Sequence, residues 1–319
     1  MDHREFLELS PGEVAEIVRA QGPNVCVFPI NGTRRWFVLE YPEVAAEGIT
    51  TSYLRISGRR HIELYRLFFD HGIETLLTPI FGPDILRRDE SYRELLEEGL
   101  AWFATNDDFL AFYQEYDVRV RVYGDFARHL ENTVYEHVLE AYRDLEARTA
   151  SNRSRRLLYG VCAQDASESV AKIAIEFSKR RGRHPTREEI VEAYYGEYVD
   201  PVDLFIGFDR PAAFDMPLLA LGSEALYFTI QPSLYVDAPT LKSILHDYLY
   251  ARQVDDGNYS HLSTEDWEAM RQFYAANHSR VIGLGKKHPS SSFWYPTPQV
   301  NLPSSISRRL QRKTGDGDR

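Results

Sequence analysis

Short apolar runs alternate along the chain with longer segments in which apolar residues recur every three or four positions. The short runs predict six strands: Val25–Phe28, Thr75–Pro79, Val118–Tyr123, Leu157–Ala163, Leu204–Phe208 and Ala225–Thr229. The longer segments have the period of amphipathic helices. This alternation predicts an α/β fold, in which a single domain has a mostly parallel, roughly six-stranded central sheet flanked by helices.

Residues typical of helix ends define the bounds of several predicted helices. His71-Gly72 is typical of a helix end, and Thr186-Arg187-Glu188-Glu189 fits a capping box. The predicted helices are Ser52–His71, Tyr92–Ala104, Asp107–Tyr116, Asp125–Ala147, Ser167–Arg180, Thr186–Gly196, Thr240–Arg252 and Thr264–Ala276. We expect residues 1–285 to form a single domain and residues 286–319, rich in Ser, Pro, Arg and Gly, to form a flexible tail.

The turn after the first predicted strand carries the strongest chemical signal. It reads Asn31-Gly32-Thr33-Arg34-Arg35, followed by Trp36 and Phe37. A strand that leads through a glycine into a helix presents backbone N–H groups to an anion. Two adjacent guanidinium groups suit a diphosphate, because each can pair with several phosphate oxygens. A solvated surface pair of arginines is the alternative interpretation of the same pattern.

Charge and cysteine content narrow the classes of function. The net charge of −11 argues against binding a nucleic acid polymer, so the two arginines indicate a local anion pocket. Cys26 and Cys162 both lie in apolar runs, which favours buried, reduced cysteines. The sequence contains no apolar run of about 18 residues and no hydrophobic signal region, so we expect a cytoplasmic protein without stable membrane insertion. The ten histidines show no spacing typical of a zinc site.

Three further polar turns follow predicted strands: Phe81–Arg88, Tyr123–Asp125 and Phe208–Arg210. In open parallel sheets, ligands bind beyond the carboxyl ends of the strands. These turns are therefore expected to lie near Asn31–Arg35.

These motifs, in this order, resemble the cis-prenyltransferases, the Z-prenyl synthase fold of undecaprenyl diphosphate synthase. The family's first strand ends in Asp-Gly-Asn-Gly-Arg-Trp, where this chain has Asn31-Gly32-Thr33-Arg34-Arg35-Trp36. Its next strand ends in Phe-Ser-x-Glu-Asn-x-x-Arg, where Phe81–Arg88 stands here. The resemblance also includes Tyr123-Gly124-Asp125 and the last two strands, and it spans roughly Val25 to Ile244.

One departure bears on the reaction. Elongating members of the family hold isopentenyl diphosphate with arginines and a serine after the fifth strand, but Gly207 stands where the first arginine is expected. The resemblance thus implies that the donor diphosphate pocket is kept and that the acceptor diphosphate pocket is lost. Such a protein would ionise a prenyl diphosphate without extending it.

One branch of the fold shares this pattern. It contains tuberculosinyl adenosine transferase, also called tuberculosinol synthase, and kolavelool synthase, and the sequence is interpreted as closest to kolavelool synthase. The resemblance to this branch is nearly full length and includes Val14–Arg19, His71–Thr75 and Tyr194–Asp200. It implies a diterpene synthase that ionises a bicyclic diterpenyl diphosphate, such as kolavenyl diphosphate, and quenches the allylic cation with water. Transfer to a nucleoside such as adenosine is the alternative, and a non-catalytic partner subunit is the third.

The same resemblance implies roles for individual residues. Gly32, Thr33, Arg34, Arg35 and Arg88 would bind the substrate diphosphate, and Tyr53 would orient the acceptor or take its proton. A structural role, in a turn or at a helix start, is the alternative for each. Four aromatic residues would wall the terpene pocket, with plain core packing as the alternative: Trp36, Phe37, Phe81 and Tyr227.

Asn31 occupies the position of a family aspartate that helps to hold Mg²⁺. An amide offers a neutral oxygen without basicity, so the expected Mg²⁺ would be held mainly by the substrate diphosphate. A homodimer with a contact near Ala225–Arg252 is also implied. The acidic motifs of other terpene synthases are absent from the sequence, so the substrate is expected to be cyclised beforehand.

Overall fold

The computed structural model describes residues 1–46, 51–82, 93–252, 262–287 and 294–297. Six strands form one sheet in which every neighbouring pair is parallel. Their order across the sheet is β3-β4-β2-β1-β5-β6, and they span Val25–Val27 (β1), Thr75–Phe81 (β2), Val118–Tyr123 (β3), Arg155–Val161 (β4), Leu204–Phe208 (β5) and Ala225–Thr229 (β6). The predicted six-stranded α/β architecture is confirmed.

Helices follow most of the strands. The described helices are His3–Glu8 (α1), Pro11–Gln21 (α2), Thr33–Glu40 (α3), Pro42–Ala46 (α4), Thr51–Asp70 (α5), Arg93–Thr105 (α6), Asp107–Glu115 (α7), Phe126–Leu130 (α8), Glu136–Thr149 (α9), Ser167–Arg181 (α10), Arg187–Tyr195 (α11), Ala238–His246 (α12) and Thr264–Asn277 (α13). A π-helical turn, Asp247–Ala251, continues α12. Two short antiparallel strands, Gly285–Lys287 (β7) and Trp294–Pro296 (β8), form a separate pair.

Alternate residues of the central strands divide between two apolar cores. Val25 and Val27 face one core, whereas Cys26 and Phe28 face the other. Leu77 and Leu76 divide in the same way. This is the period-two geometry of a strand, and because both faces are covered, the strands are continuous apolar runs in the sequence. Cys26 and Cys162 are buried and reduced.

The segment predicted as one helix over Asp125–Ala147 is two helices. The chain leaves α8 after Leu130 and starts α9 at Glu136. Asn132 has a φ of 58°, and the Thr133 hydroxyl donates to the Leu130 carbonyl at 2.6 Å. Asn tolerates the left-handed region, and Thr competes for backbone groups, so these two residues interrupt an otherwise helical pattern.

Two N-terminal helices were not assigned from the sequence. Both α1 and α2 begin with capping boxes, formed by Asp2 with Glu5 and by Ser10 with Glu13.

Within the described residues, no helix combines the length and the apolarity needed to cross a bilayer.

Candidate functional site

The N-terminus of α3 lies just beyond the carboxyl end of β1. Gly32 is the N-cap residue with a φ of 76°, and the Trp36 N–H donates to its carbonyl at 2.9 Å. No side chain caps this helix end. Because the N–H groups of a first helical turn lack intrahelical partners, this end of α3 favours an anion.

Gly32 is required here by backbone conformation and by close packing. A Cβ atom at this position would lie 2.8 Å from the Phe208 ring and 3.0 Å from Pro232. The loop is also fixed by Ser233, whose N–H donates to the Asn31 carbonyl at 3.1 Å and whose hydroxyl accepts from the Asn31 N–H at 3.1 Å. The turns that follow β1, β5 and β6 are thus held together.

Arg34 and Arg35 both stand on the first turn of α3. Arg34 is half-buried, and the side chain of Arg35 is 46% exposed. The Arg35 guanidinium lies over the Phe208 ring at 5.3 Å, and its Nη1 is 3.7 Å from Asp209 Oδ2. These contacts direct Arg35 towards the end of β5.

A largely aromatic cavity reaches this helix end. The empty space inside it and at its open mouth amounts to about 770 Å³. Residues of α3, α5, α6, α7 and the sheet contribute to it. The lining consists of Ile30, Thr33, Tyr53, Leu54, Ser57, Gly58, His61, Tyr65, Ile80, Phe81, Gly99, Trp102, Phe103, Phe109 and Tyr159.

One side of the cavity is a single stripe along α5. Tyr53, Ser57, His61 and Tyr65 recur every fourth residue and therefore share a helix face. Gly58 lies beside this stripe and lets α6 approach, because a Cβ there would lie only 2.6 Å from Trp102 Nε1. The spacing of four is visible in the sequence, but spacing alone does not show that a cavity lies beside this face.

Polar groups lie within this apolar lining. Burial lowers the pKa of His61 to about 4, so its imidazole is neutral at physiological pH. Burial also raises the pKa of the Tyr65 phenol. The Tyr113 hydroxyl donates to the Phe103 carbonyl at 2.9 Å and is hydrogen-bonded to the Tyr159 hydroxyl at 2.8 Å.

The structure brings some of the predicted site residues together and separates others. Asn31, Gly32, Thr33, Arg34 and Arg35 are contiguous at the start of α3, and both Tyr53 and Phe81 line the cavity that Thr33 reaches.

Trp36 and Phe37 are instead buried in the core beside the cavity, where the Phe37 ring meets Tyr53 edge-on at 5.2 Å. Tyr227 lines a different cavity at the β6 edge of the sheet, and its hydroxyl donates to Asp247. Arg88 lies outside the described residues.

The structure gives a packing reason for the glycine that replaces an expected arginine. A Cβ at Gly207 would lie 2.7 Å from the Phe228 ring and 2.9 Å from Phe205. A larger side chain at this position of β5 would require these aromatic rings to move. This end of the sheet therefore lacks a guanidinium at position 207.

The donor groups at α3 do not fit a magnesium site built from protein ligands. Asn31 supplies a neutral amide oxygen, whereas Mg²⁺ in proteins is usually bound by carboxylates together with substrate phosphates. Asp209, the carboxylate that follows β5, is paired with Arg35. Within the described ranges, no three acidic, histidine or cysteine side chains are placed to hold a metal ion.

Two known proteins are similar in sequence to this chain over most of its length. The chain is 42% identical over 298 residues to tuberculosinyl adenosine transferase of Mycobacterium tuberculosis, covering 92% of this chain and 98% of the relative. It is 28% identical over 285 residues to (+)-kolavelool synthase of Herpetosiphon aurantiacus, covering 88% and 91%. No family model matches the sequence.

Solved structures share the fold at low sequence identity. Lavandulyl diphosphate synthase from Lavandula x intermedia, in complex with dimethylallyl diphosphate, superposes with a TM-score of 0.55 at 16% identity, covering 75% of this chain and 97% of the other. A probable undecaprenyl diphosphate synthase from Campylobacter jejuni gives a TM-score of 0.53 at 14% identity, covering 72% and 97%. The chain therefore belongs to the family of tuberculosinyl adenosine transferase, which has the cis-prenyltransferase fold.

Proposed function

We propose that this protein ionises a diterpenyl diphosphate and transfers the diterpenyl group to a nucleoside such as adenosine. The observation that carries the proposal is that the uncapped N-terminus of α3, with Arg34 and Arg35, borders the aromatic cavity through Thr33. An anion-binding helix end beside an apolar cavity matches a substrate with a charged head and a hydrocarbon body.

The chain's own groups have distinct parts in this reaction. As the C–O bond breaks, its electron pair leaves with the diphosphate, and Arg34, Arg35 and the first-turn N–H groups stabilise the developing negative charge. Aromatic lining such as Trp102 and Phe81 stabilises the allylic cation through the ring faces and excludes water. Tyr53 lies in the lining and orients the acceptor, whose lone pair forms the new bond. A proton lost by the acceptor passes to the departed diphosphate, either directly or by relay, in which the Tyr53 hydroxyl accepts it while donating its own proton. None of these steps passes through a protein-bound metal ion.

The choice of acceptor follows the stronger similarity. The relative that is 42% identical is named for transfer to adenosine, whereas the synthase named for kolavelool is 28% identical. This order is the reverse of the one favoured from the sequence motifs. Quenching by water, to give a kolavelool-like alcohol, is the second candidate, and the similarity to (+)-kolavelool synthase supports it.

Product analysis separates these candidates. The protein is incubated with tuberculosinyl diphosphate and with kolavenyl diphosphate, each with and without adenosine in the presence of Mg²⁺, and the products are identified by mass spectrometry. We expect an adenosine adduct. Alcohol alone, in both the presence and the absence of adenosine, favours water as the acceptor. Absence of turnover with either substrate contradicts an enzymatic function and favours a partner subunit.

Arginine variants test the diphosphate contact. Arg34→Ala or Arg35→Ala is expected to reduce kcat/KM more than tenfold, because each guanidinium contributes a few kcal/mol to transition-state stabilisation in the proposed reaction. Arg59→Ala is the matched control, since Arg59 is an exposed arginine that pairs with Asp108. Near-normal rates in both α3 variants would show that these arginines do not hold the leaving group.

A further inference from the structure

The cavity has two chemically different ends. Thr33 and Tyr53 mark the end at α3, whereas His61, Tyr65 and Tyr159 mark the other end, which we call the polar end. Tyr65 follows Tyr53 by twelve residues of α5, so the two residues lie roughly 18 Å apart along the helix axis. The polar end is therefore remote from the groups that would hold the diphosphate.

The hydroxyl protons of Tyr113 and Tyr159 are both used in hydrogen bonds. Tyr113 has one hydroxyl proton, and it donates that proton to the Phe103 carbonyl. The Tyr159 hydroxyl must then donate to the Tyr113 oxygen in their 2.8 Å hydrogen bond. Tyr159 thus keeps unused lone pairs but has no proton left for a further partner.

His61 and Tyr65 differ from this satisfied pair. Tyr65 is fully buried, and its hydroxyl forms no hydrogen bond of normal geometry with the described residues. It interacts weakly with the side chains of Thr78 and Tyr159, which lower its pKa against the effect of burial. His61 Nε2 is also buried without a hydrogen-bond partner in the described ranges. Buried polar groups in this state are rare in native proteins, because desolvation without a partner costs free energy.

Both residues line the cavity, so an occupant of the cavity lies next to their side chains. Their ring centroids are 6.3 Å apart. The imidazole is neutral, and the phenol can donate as well as accept. A small neutral group that both donates and accepts therefore matches the pair better than a carboxylate or an ammonium group does.

We propose that the polar end is a binding site for one hydroxyl oxygen, held by His61 and Tyr65. The oxygen belongs either to a hydroxyl group on the terpenoid, remote from the diphosphate, or to a water molecule. That water molecule would stay at the polar end when a substrate without a hydroxyl group occupies the cavity. The first source rests on the proposed function, because it requires the terpenoid to occupy this cavity. In that case, His61 and Tyr65 make the enzyme selective for an oxygenated terpenyl diphosphate.

A binding experiment distinguishes the two sources without requiring turnover. The probes are tuberculosinyl thiolodiphosphate, which resists ionisation, and its analogue with a hydroxyl group on the ring farthest from the diphosphate. Isothermal titration calorimetry gives Kd values for the wild type, His61→Phe, Tyr65→Phe and the control Tyr142→Phe. Tyr142 is a buried tyrosine whose hydroxyl donates to the Leu100 carbonyl, away from the cavity lining.

If the oxygen belongs to a substrate hydroxyl, the hydroxylated probe should bind the wild type at least tenfold more tightly than the probe without a hydroxyl group. That preference should fall below twofold in His61→Phe and Tyr65→Phe and persist in Tyr142→Phe. A retained water predicts equal binding of the two probes. In either case, a crystal structure of the wild-type protein without a probe should show an oxygen within hydrogen-bond distance of His61 Nε2 and the Tyr65 hydroxyl.

Equal binding with no such oxygen would overturn the inference, as would a preference that persists in both cavity variants. If neither probe binds, the proposed function fails, while the crystal structure still decides whether the oxygen site exists. If a variant does not fold, the wild-type comparison of the two probes and the crystal structure remain decisive.

Discussion

Arg35 and Asp209 pair across a gap of more than 170 residues. The contact exists because β1 and β5 are neighbours in the sheet, so the turns that follow them meet. The anion-binding motif could be predicted from Gly32, Arg34 and Arg35 alone, since those residues are contiguous. The acidic partner could not be predicted, because its position depends on the strand order.

Asp209→Asn tests whether this pair restrains Arg35. Neutralising the carboxylate should make the guanidinium more available to a diphosphate and lower the Kd of inorganic diphosphate two- to fivefold, on the order expected for a partly exposed ion pair. Asn also tolerates the φ of 68° at this position. Isothermal titration calorimetry measures the Kd. Asp108→Asn, which releases the remote Arg59, should leave it unchanged.

Asn31→Asp tests metal use at the turn. The backbone of Asn31 is bonded to Ser233 through both its N–H and its carbonyl, so the substitution should keep the loop in place. A carboxylate beside the bound diphosphate should lower the Mg²⁺ concentration that gives half-maximal activity severalfold, because Mg²⁺ prefers charged oxygen ligands. The product should not change.

The control for this change is Asn106→Asp. Asn106 caps α7 and accepts from the Asp108 N–H, and aspartate caps a helix equally well. The control adds the same charge away from α3. An unchanged Mg²⁺ titration in Asn31→Asp, combined with an altered product, would contradict the prediction.

At the scale of elements, α5 shows where sequence patterns are informative and where they are not. Its apolar stripe, with Leu64 and Phe68 buried, identified the helix and its core-facing side. The second stripe, from Tyr53 to Tyr65, lines the cavity because α6 and α7 pack beside it, with Gly58 permitting the approach of Trp102. Which helix covers a stripe is decided by tertiary packing, so the cavity wall could not be read from spacing alone.

The loop that follows β5 crosses the sheet and is fixed at several backbone carbonyls. The Tyr123 hydroxyl donates to the Asp215 carbonyl at 2.7 Å, and the Tyr195 hydroxyl donates to the Pro217 carbonyl at 2.7 Å. These contacts hold Asp215 in the left-handed region, with a φ of 56°. Its Oδ1 is buried without a hydrogen bond from the described residues, and burial raises the pKa of this carboxyl to about 6.

Asp215→Asn is therefore expected to change how stability depends on pH. Between about pH 4 and pH 6, the folded wild type keeps a proton that the unfolded chain releases, so its free energy of unfolding falls as the pH rises. Asn removes this penalty and tolerates the positive φ. The variant should be more stable than the wild type by about 3 kcal/mol at pH 7.5, with the difference falling below about 1 kcal/mol near pH 4.

Urea unfolding across this pH range measures the difference. Asp200→Asn, a substitution of an exposed aspartate, is the control and should not alter the pH dependence. A stability difference between Asp215→Asn and the wild type that is the same at pH 4 and at pH 7.5 would contradict a raised pKa of Asp215.

At the scale of the whole molecule, the strand order places the site. β1 lies between β2 and β5, so the turns after these strands meet beyond their carboxyl ends, as expected for an open parallel sheet. The strands themselves were predictable because both faces of the sheet are buried. The order across the sheet could not be predicted, since periodicity carries no information about which strands are neighbours.

The same order leaves β6 at an edge of the sheet, where apolar side chains are exposed. Ile230, just after β6, is 74% exposed, and Leu226 is 37% exposed. An apolar edge strand is a natural site for pairing with another chain, and the family resemblance implies a homodimer near Ala225–Arg252. We therefore expect the wild type to elute as a dimer and Ile230→Asp to shift it towards monomer.

Size-exclusion chromatography with light scattering measures this shift over a range of protein concentrations. Val134→Asp is the matched control, because Val134 is 66% exposed in the turn between α8 and α9, near the opposite edge of the sheet. Ile230 lies in the turn that also carries Pro232 and Ser233, which pack against Gly32 and Asn31. Dissociation should therefore weaken diphosphate binding as well as change the mass. A monomeric wild type, or a variant that remains dimeric, would rule out this edge as the subunit contact.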